Sequence, residues 1–212
     1  MKKKTGKSVS LFSGKGGVGK TITTLNLAGI YETLGKKVLI MDLDLSGGNI
    51  SLCLNTPTNK TIYNFVDDYN NNRFHNFLDY VTKYDDHIDI LACPKDPRQA
   101  SKIDSKYIEI AIDKAEYLYD IVLIDTNHIL NELNLVILDA VTEILFVMNN
   151  DPMDLKNIKS LLSIFRDLYS SLSINLSINR FAISEFSIFL FFYIDFFVIP
   201  NYIMNIFIFY ST

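Results

Sequence analysis

Ser13-Gly14-Lys15-Gly16-Gly17-Val18-Gly19-Lys20-Thr21 is the stretch that decides the fold. From Gly14 to Thr21 it has the spacing G-x-x-x-x-G-K-T. A short apolar run, Val9-Ser10-Leu11-Phe12, precedes it, and a helical pattern from Ile22 to Leu34 follows. A strand, a glycine-rich loop and a helix in that order make a phosphate cradle. Glycines let successive backbone N–H groups point at an anion with no side chain in the way. The helix that follows adds its positive end. In such a loop the lysine reaches the β- and γ-phosphates and the threonine hydroxyl ligates Mg²⁺. Those roles fall to Lys20 and Thr21. Gly14, Lys15, Gly16, Gly17, Val18, Gly19 and Ile22 complete the expected nucleotide-binding segment.

Working outward, 212 residues suit one α/β domain with a substantial core. The net charge of −4 gives no global pull towards nucleic acid. Lys2, Lys3, Lys4 and Lys7 form a basic lead that reads as a solvated tail. No apolar segment of signal-peptide type follows these lysines. Cys53 and Cys93 form no CxxC pair, and His75, His87 and His128 show no metal-ligand spacing. A reducing cytoplasm fits this usage.

Strands and helices alternate along the chain. Gly35 offers a left-handed stop for the first helix, and Val38-Leu39-Ile40-Met41 reads as a strand buried on both faces. Short helices are expected around 62–66 and 74–81, and Asn70-Asn71-Asn72 as a loop. Further strands are expected at 88–92, 121–124, 144–148 and 174–178, and helices at 103–118, 133–141 and 152–168. This order predicts a mostly parallel sheet with helices on both faces.

In such sheets ligands sit beyond the carboxyl ends of the strands. Asp42 and Asp44 fall at one such end and, in an extended chain, point the same way. Asp125 ends another strand after four apolar residues, where a carboxylate holds a Mg²⁺-bound water. Asn179-Arg180 follows a late strand, and an asparagine amide pairs with the edge of adenine.

Gly14-Lys15-Gly16-Gly17-Val18-Gly19-Lys20-Thr21 resembles the deviant Walker A motif of the MinD/ParA family of P-loop NTPases. The resemblance runs from about Val9 to Arg180 and implies an ATP- and Mg²⁺-dependent homodimer. It gives Lys15 the lysine that crosses the dimer to the partner's ATP, so that Lys15, Lys20 and Asp44 become the expected catalytic set. Asp44 takes the position that orients the attacking water, while Asp42 supports Mg²⁺ waters or the loop. Thr21, Asp42, Asp44 and Asp125 are the expected metal residues, the aspartates acting through water, and Asn179 and Arg180 the base-side residues.

Within the family, D-L-D-L-S-G-G-N-I-S-L from Asp42 is most similar to the CpaE/TadZ pilus-assembly branch. So are Y-D-I-V-L-I-D-T from Tyr119 and L-N-E-L-N-L-V-I-L-D-A from Leu130. That branch implies a protein partner in a secretion, pilus or positioning system. After Arg166 the only cation is Arg180, which argues against DNA and against a ParA-type partition role. A bacterial tyrosine kinase, suggested by Tyr193, Tyr202 and Tyr210, conflicts with Lys15 and with Ser46 where those kinases carry arginine.

Two departures stand out. Ile22 replaces the usual hydroxyl residue, and Asn127 stands where many relatives have proline. Residues 181–212 hold nine of the fifteen phenylalanines and only two charges, Glu185 and Asp195. We therefore expect a P-loop ATPase domain over 1–180 and an atypical apolar tail over 181–212, a shortened or frame-shifted ending that leaves the C-terminal layer incomplete. Membrane contact through Phe186 to Ile199 is the alternative for that tail.

Overall fold

The computed structural model of the protein describes residues 6–149, 152–168, 173–180 and 206–210. The strands are β1 (Lys7–Phe12), β2 (Val38–Asp42), β3 (Thr82–Lys83), β4 (Ile88–Leu91), β5 (Ile121–Asp125), β6 (Glu143–Asn149), β7 (Ser173–Arg180) and β8 (Ile206–Tyr210). The helices are α1 (Lys20–Thr33), α2 (Ile50–Cys53), α3 (Ile62–Asn70), α4 (Pro97–Ala100), α5 (Lys106–Leu118), α6 (Glu132–Ala140) and α7 (Pro152–Leu168). The strands form one sheet in the order β3-β4-β2-β5-β1-β6-β7-β8. All neighbours pair in parallel except β3, which runs antiparallel along β4.

Strand periodicity sorts the core into two layers. On β2, Leu39 and Met41 join one cluster and Val38 and Ile40 the other. On β5, Val122 and Ile124 face the first layer, and Ile121 and Leu123 the second. The first layer is closed by Phe65 of α3, Ile108 and Ile112 of α5, Ile137 of α6 and Phe165 of α7. The second is closed by Ala28, Leu25 and Tyr31 of α1 and Ile50 of α2. A sheet buried on both faces explains why its central strands read as unbroken apolar runs.

Most expected elements appear within a few residues of their place. Gly35 has φ +68° and its N–H bonds Glu32 O at 2.7 Å, while Lys36 N–H bonds Tyr31 O at 3.0 Å. That pair of bonds is the Schellman stop of α1. α3 runs on to Asn70, beyond the expected 66, because Ile62, Phe65, Val66 and Tyr69 share one face. The helix expected over 74–81 is a 3₁₀ turn at Phe77–Tyr80. Phe74, Phe77 and Tyr80 instead surround Phe65 at ring distances of 5.6, 5.7 and 5.6 Å. Aromatic packing of this kind overrides weak local propensity. The short β3, α2 and α4 had no periodic signal of their own.

The tail is described only in part. Ile206–Tyr210 pairs with β7, in the same sheet as the P-loop strand. The apolar run 186–199 lies outside the described residues, and so does the boundary expected just after 180. Among the described residues no helix is long and apolar enough to cross a membrane.

Phe12, Phe146 and Phe165 form a ring triad that joins α7 to β1 and β6, with centroids 5.3 to 6.0 Å apart. Phe165→Ala is expected to lower unfolding free energy by about 3–5 kcal/mol. Urea denaturation measures it, and a loss below about 1 kcal/mol would show that this triad does not hold α7 in place.

Candidate functional site

The site forms where β1, β2 and β5 end side by side. β1 pairs with β5 so that Leu11 lies opposite Asp125, and β2 pairs with β5 so that Asp42 lies opposite Asp125. Two carboxylates and the start of the glycine-rich loop therefore share one edge of the sheet. In the loop Gly17 and Gly19 have φ of +74° and +93°, which L side chains rarely adopt. Gly19 turns the chain into α1, leaving the first N–H groups of that helix at the loop.

Lys20 is buried, and its Nζ donates to Ser13 Oγ at 2.9 Å. The Ser13 hydroxyl in turn donates to Lys15 O at 2.8 Å. Ser13 thus ties both ends of the loop together, a role that its place before the motif did not announce. Burial pushes the Lys20 ammonium below its usual pKa, and the Asp125 and Asp44 carboxylates oppose that shift. Thr21 Oγ1 donates to Asp125 Oδ2 at 2.6 Å. The pair expected to meet around a metal ion is thus already in contact.

Asp42 and Asp44 differ in their surroundings. Asp42 is buried at the end of β2, and its Oδ2 accepts Ile50 N–H at 3.1 Å, at the start of α2. Asp44 lies in the following turn and accepts from Ser46 N–H and Gly47 N–H at 3.2 Å each. The two carboxylates stay within electrostatic reach of one another and of Asp125, and Asp44 also of Lys20, although the chain turns immediately after β2. Gly48 makes the turn fit: a β-carbon there would strike the Asp42 carboxylate and Cys93 Sγ.

Lys15 reaches across its own chain, with Nζ 3.5 Å from Asp154 Oδ1. Asp154 lies in the first turn of α7, is buried, and accepts Asn149 N–H at 3.2 Å. Nothing in the spacing of the sequence linked Asp154 to the loop. Gly14 also meets α7, since a β-carbon there would come within 2.8 Å of Leu161 Cδ1. Val18 is buried, whereas Ile22 is 56% exposed. Asn179 and Arg180 end β7, with Asn179 paired to Asn149 in register. The base contact expected of their side chains lies outside the described part of the structure.

A divalent cation fits the donors present. Asp125 Oδ1 and Asp42 Oδ1 are buried and make no hydrogen bond. Among the described residues no cluster of three or more His, Cys, Asp or Glu could hold a metal. Mg²⁺ suits such a site, because it keeps several waters and takes phosphate oxygens as ligands.

Comparisons with known proteins agree with this geometry. A family model described as "AAA domain" matches residues 6–178. The septum site-determining protein MinD of Helicobacter pylori is 33% identical over 119 residues, which are 56% of this chain and 43% of that protein. MinD of Bacillus subtilis is 28% identical over 121 residues, 57% of this chain and 44% of that protein. The solved MinD of Pyrococcus horikoshii, complexed with Mg-ADP, superposes with a TM-score of 0.73 at 26% identity. That match covers 84% of this chain and 72% of the solved one. The chain belongs to the MinD/ParA family of P-loop NTPases. It spans less than half the length of the curated MinD proteins it matches.

The acids at the strand ends are costly to ionise where they are buried. Burial pushes Asp42 up to about 7, with the neighbouring Asp125 and Asp44 charges adding to it. Burial likewise pushes Asp125 up to about 6, helped by Asp44 and opposed by Thr21 and Lys20. Raised carboxyl pKa values mean that the folded state binds more protons than the unfolded one. Between about pH 4 and pH 7 the contribution of these acids to stability therefore falls as pH rises. Asp42→Asn is expected to raise the metal-free melting temperature at neutral pH and to flatten its fall with pH. A melt series across that window checks it, and an unchanged slope contradicts it.

Proposed function

We propose that the chain is an ATP-binding and ATP-hydrolysing switch that dimerises around two Mg·ATP and uses the dimer to position a protein partner. The observation that carries the reading is the Thr21–Asp125 contact at 2.6 Å beside the buried Lys20. It supports a metal and a terminal phosphate at the same edge of the sheet. A bound Mg²⁺ would supply positive charge to the phosphates. Thr21 and Asp125 would hold its shell, the aspartate through water, with Asp42 beside them. Lys20 would leave Ser13 for the phosphates. Asp44, in its turn beyond β2, would accept a hydrogen bond from the attacking water and orient it. Asn179 and Arg180 would lie on the base side.

Lys15 gives the switch its dependence on a second copy. In the single chain its ammonium pairs with Asp154. In the dimer it would exchange that carboxylate for the phosphates of the partner's ATP, placing positive charge where negative charge develops. A cytoplasmic setting rests on the cysteine usage, and a partner of the secretion, pilus or positioning type on the CpaE/TadZ-like segments. The exposed Ile22 supports a second reading, a nucleotide-gated scaffold with negligible turnover, since it lacks the hydroxyl donor of its relatives.

Turnover separates these readings. Asp44→Ala is expected to cut ATP hydrolysis by about 100-fold or more, in the range of a lost water-orienting base. Equal rates in the two proteins would remove Asp44 from the chemistry and favour the scaffold. Dimerisation is tested separately by light scattering with Mg·ATP. Wild type is expected to dimerise and Lys15→Ala to remain monomeric, and ATP-driven dimers of Lys15→Ala would refute the cross-dimer role.

A further inference from the structure

Switch residues after Asp125 hold a side chain that the ATPase reading leaves without a task. His128 is exposed, and a β-carbon placed on Gly16 would touch its Nδ1 and Cε1 at 3.5 Å. The imidazole thus lies beside the glycine-rich loop, at a distance that a β-carbon on Gly16 would meet in ordinary van der Waals contact.

The ring's position is built rather than accidental. Asn127 is 6% exposed. Its Oδ1 accepts Ile129 N–H at 2.9 Å and Asn134 Nδ2 at 2.7 Å. Asn134 also donates to Ile129 O at 2.6 Å. The first of these bonds is an Asx turn, in which a side chain reproduces a backbone turn. It bends the chain around His128 and, through Asn134, anchors the turn to α6.

Asp125 holds Thr21 at the metal end of the cradle. Three residues later the same segment reaches Gly16 within the loop itself. A nucleotide's terminal phosphate lies at the metal end of a P-loop, next to its lysine. The segment from Asp125 to His128 thus runs from the metal end to the loop whose N–H groups would cradle the phosphates, and an imidazole N–H is a donor in either protonation state.

We infer that His128 is a phosphate-contact residue that donates a hydrogen bond to the terminal phosphate in its own chain's site and so sets the preference for nucleoside triphosphate over diphosphate. This rests on the ATP reading above. The Asn127–Asn134 turn is its positioning device.

The test is calorimetric titration of the whole chain with Mg²⁺ and either ADP or the non-hydrolysable adenylyl imidodiphosphate. His128→Ala is expected to weaken the triphosphate analogue about five- to tenfold, the worth of one hydrogen bond, with ADP unchanged. His128→Gln, which keeps a donor, is expected to recover most of that preference. Asn127→Ala is expected to lose it with the histidine still present. A thermal melt of each variant identifies those that fold. A His128→Ala protein that melts like wild type and keeps the full triphosphate preference overturns the assignment. So does a loss seen only at concentrations where the chain dimerises, which would place the ring on the partner copy. Failure of wild type to bind either nucleotide defeats the ATP reading as well, and is distinguished from failure of the histidine assignment alone.

Discussion

The register of β1 between its neighbours β5 and β6 is the constraint on which the site depends. Leu11 lies opposite Asp125 on one side and Leu145 on the other. Parallel pairing in this register brings the C-terminal ends of β1 and β5 level. The loop leaving β1 and the acid ending β5 then meet, and Thr21 can bond Asp125 directly. A shift of one residue would turn Val9 and Leu11 from one core layer to the other. The two apolar layers therefore hold the register, and the register holds the chemistry.

Rigid and adjustable parts divide along the same line. Lys20, Asp125 and Asp42 are anchored on or next to buried strands. Asp44, Lys15 and His128 stand on turns whose shape comes from side-chain bonds or close glycine packing. Asp44 draws in the N–H groups of Ser46 and Gly47, Lys15 pairs with Asp154, and His128 rests on Gly16.

Much of this was legible in the chain because its signals are local. The glycine spacing, the apolar runs of β2 and β5, and Pro152 at the start of α7 each act within a few residues. Misjudgements came where distant contacts decide local shape. Phe74, Phe77 and Tyr80 surrendered helical geometry to pack around Phe65. Asp42 bonds Ile50 N–H beneath a turn at Gly48, a contact that no spacing rule announced. Asp154 and His128 carry no motif, and each reaches the loop from more than a hundred residues away.

By itself the sequence determined the phosphate cradle, the parallel α/β architecture and the acids at the strand ends. Backbone conformation and hydrophobic period are properties of short segments, and they are written there. Only the tertiary structure decided how those acids are buried and bonded, which carboxylate holds Lys15, and that a histidine lies beside Gly16. Those outcomes depend on burial, register and crossing loops, which bring together residues that no spacing rule connects.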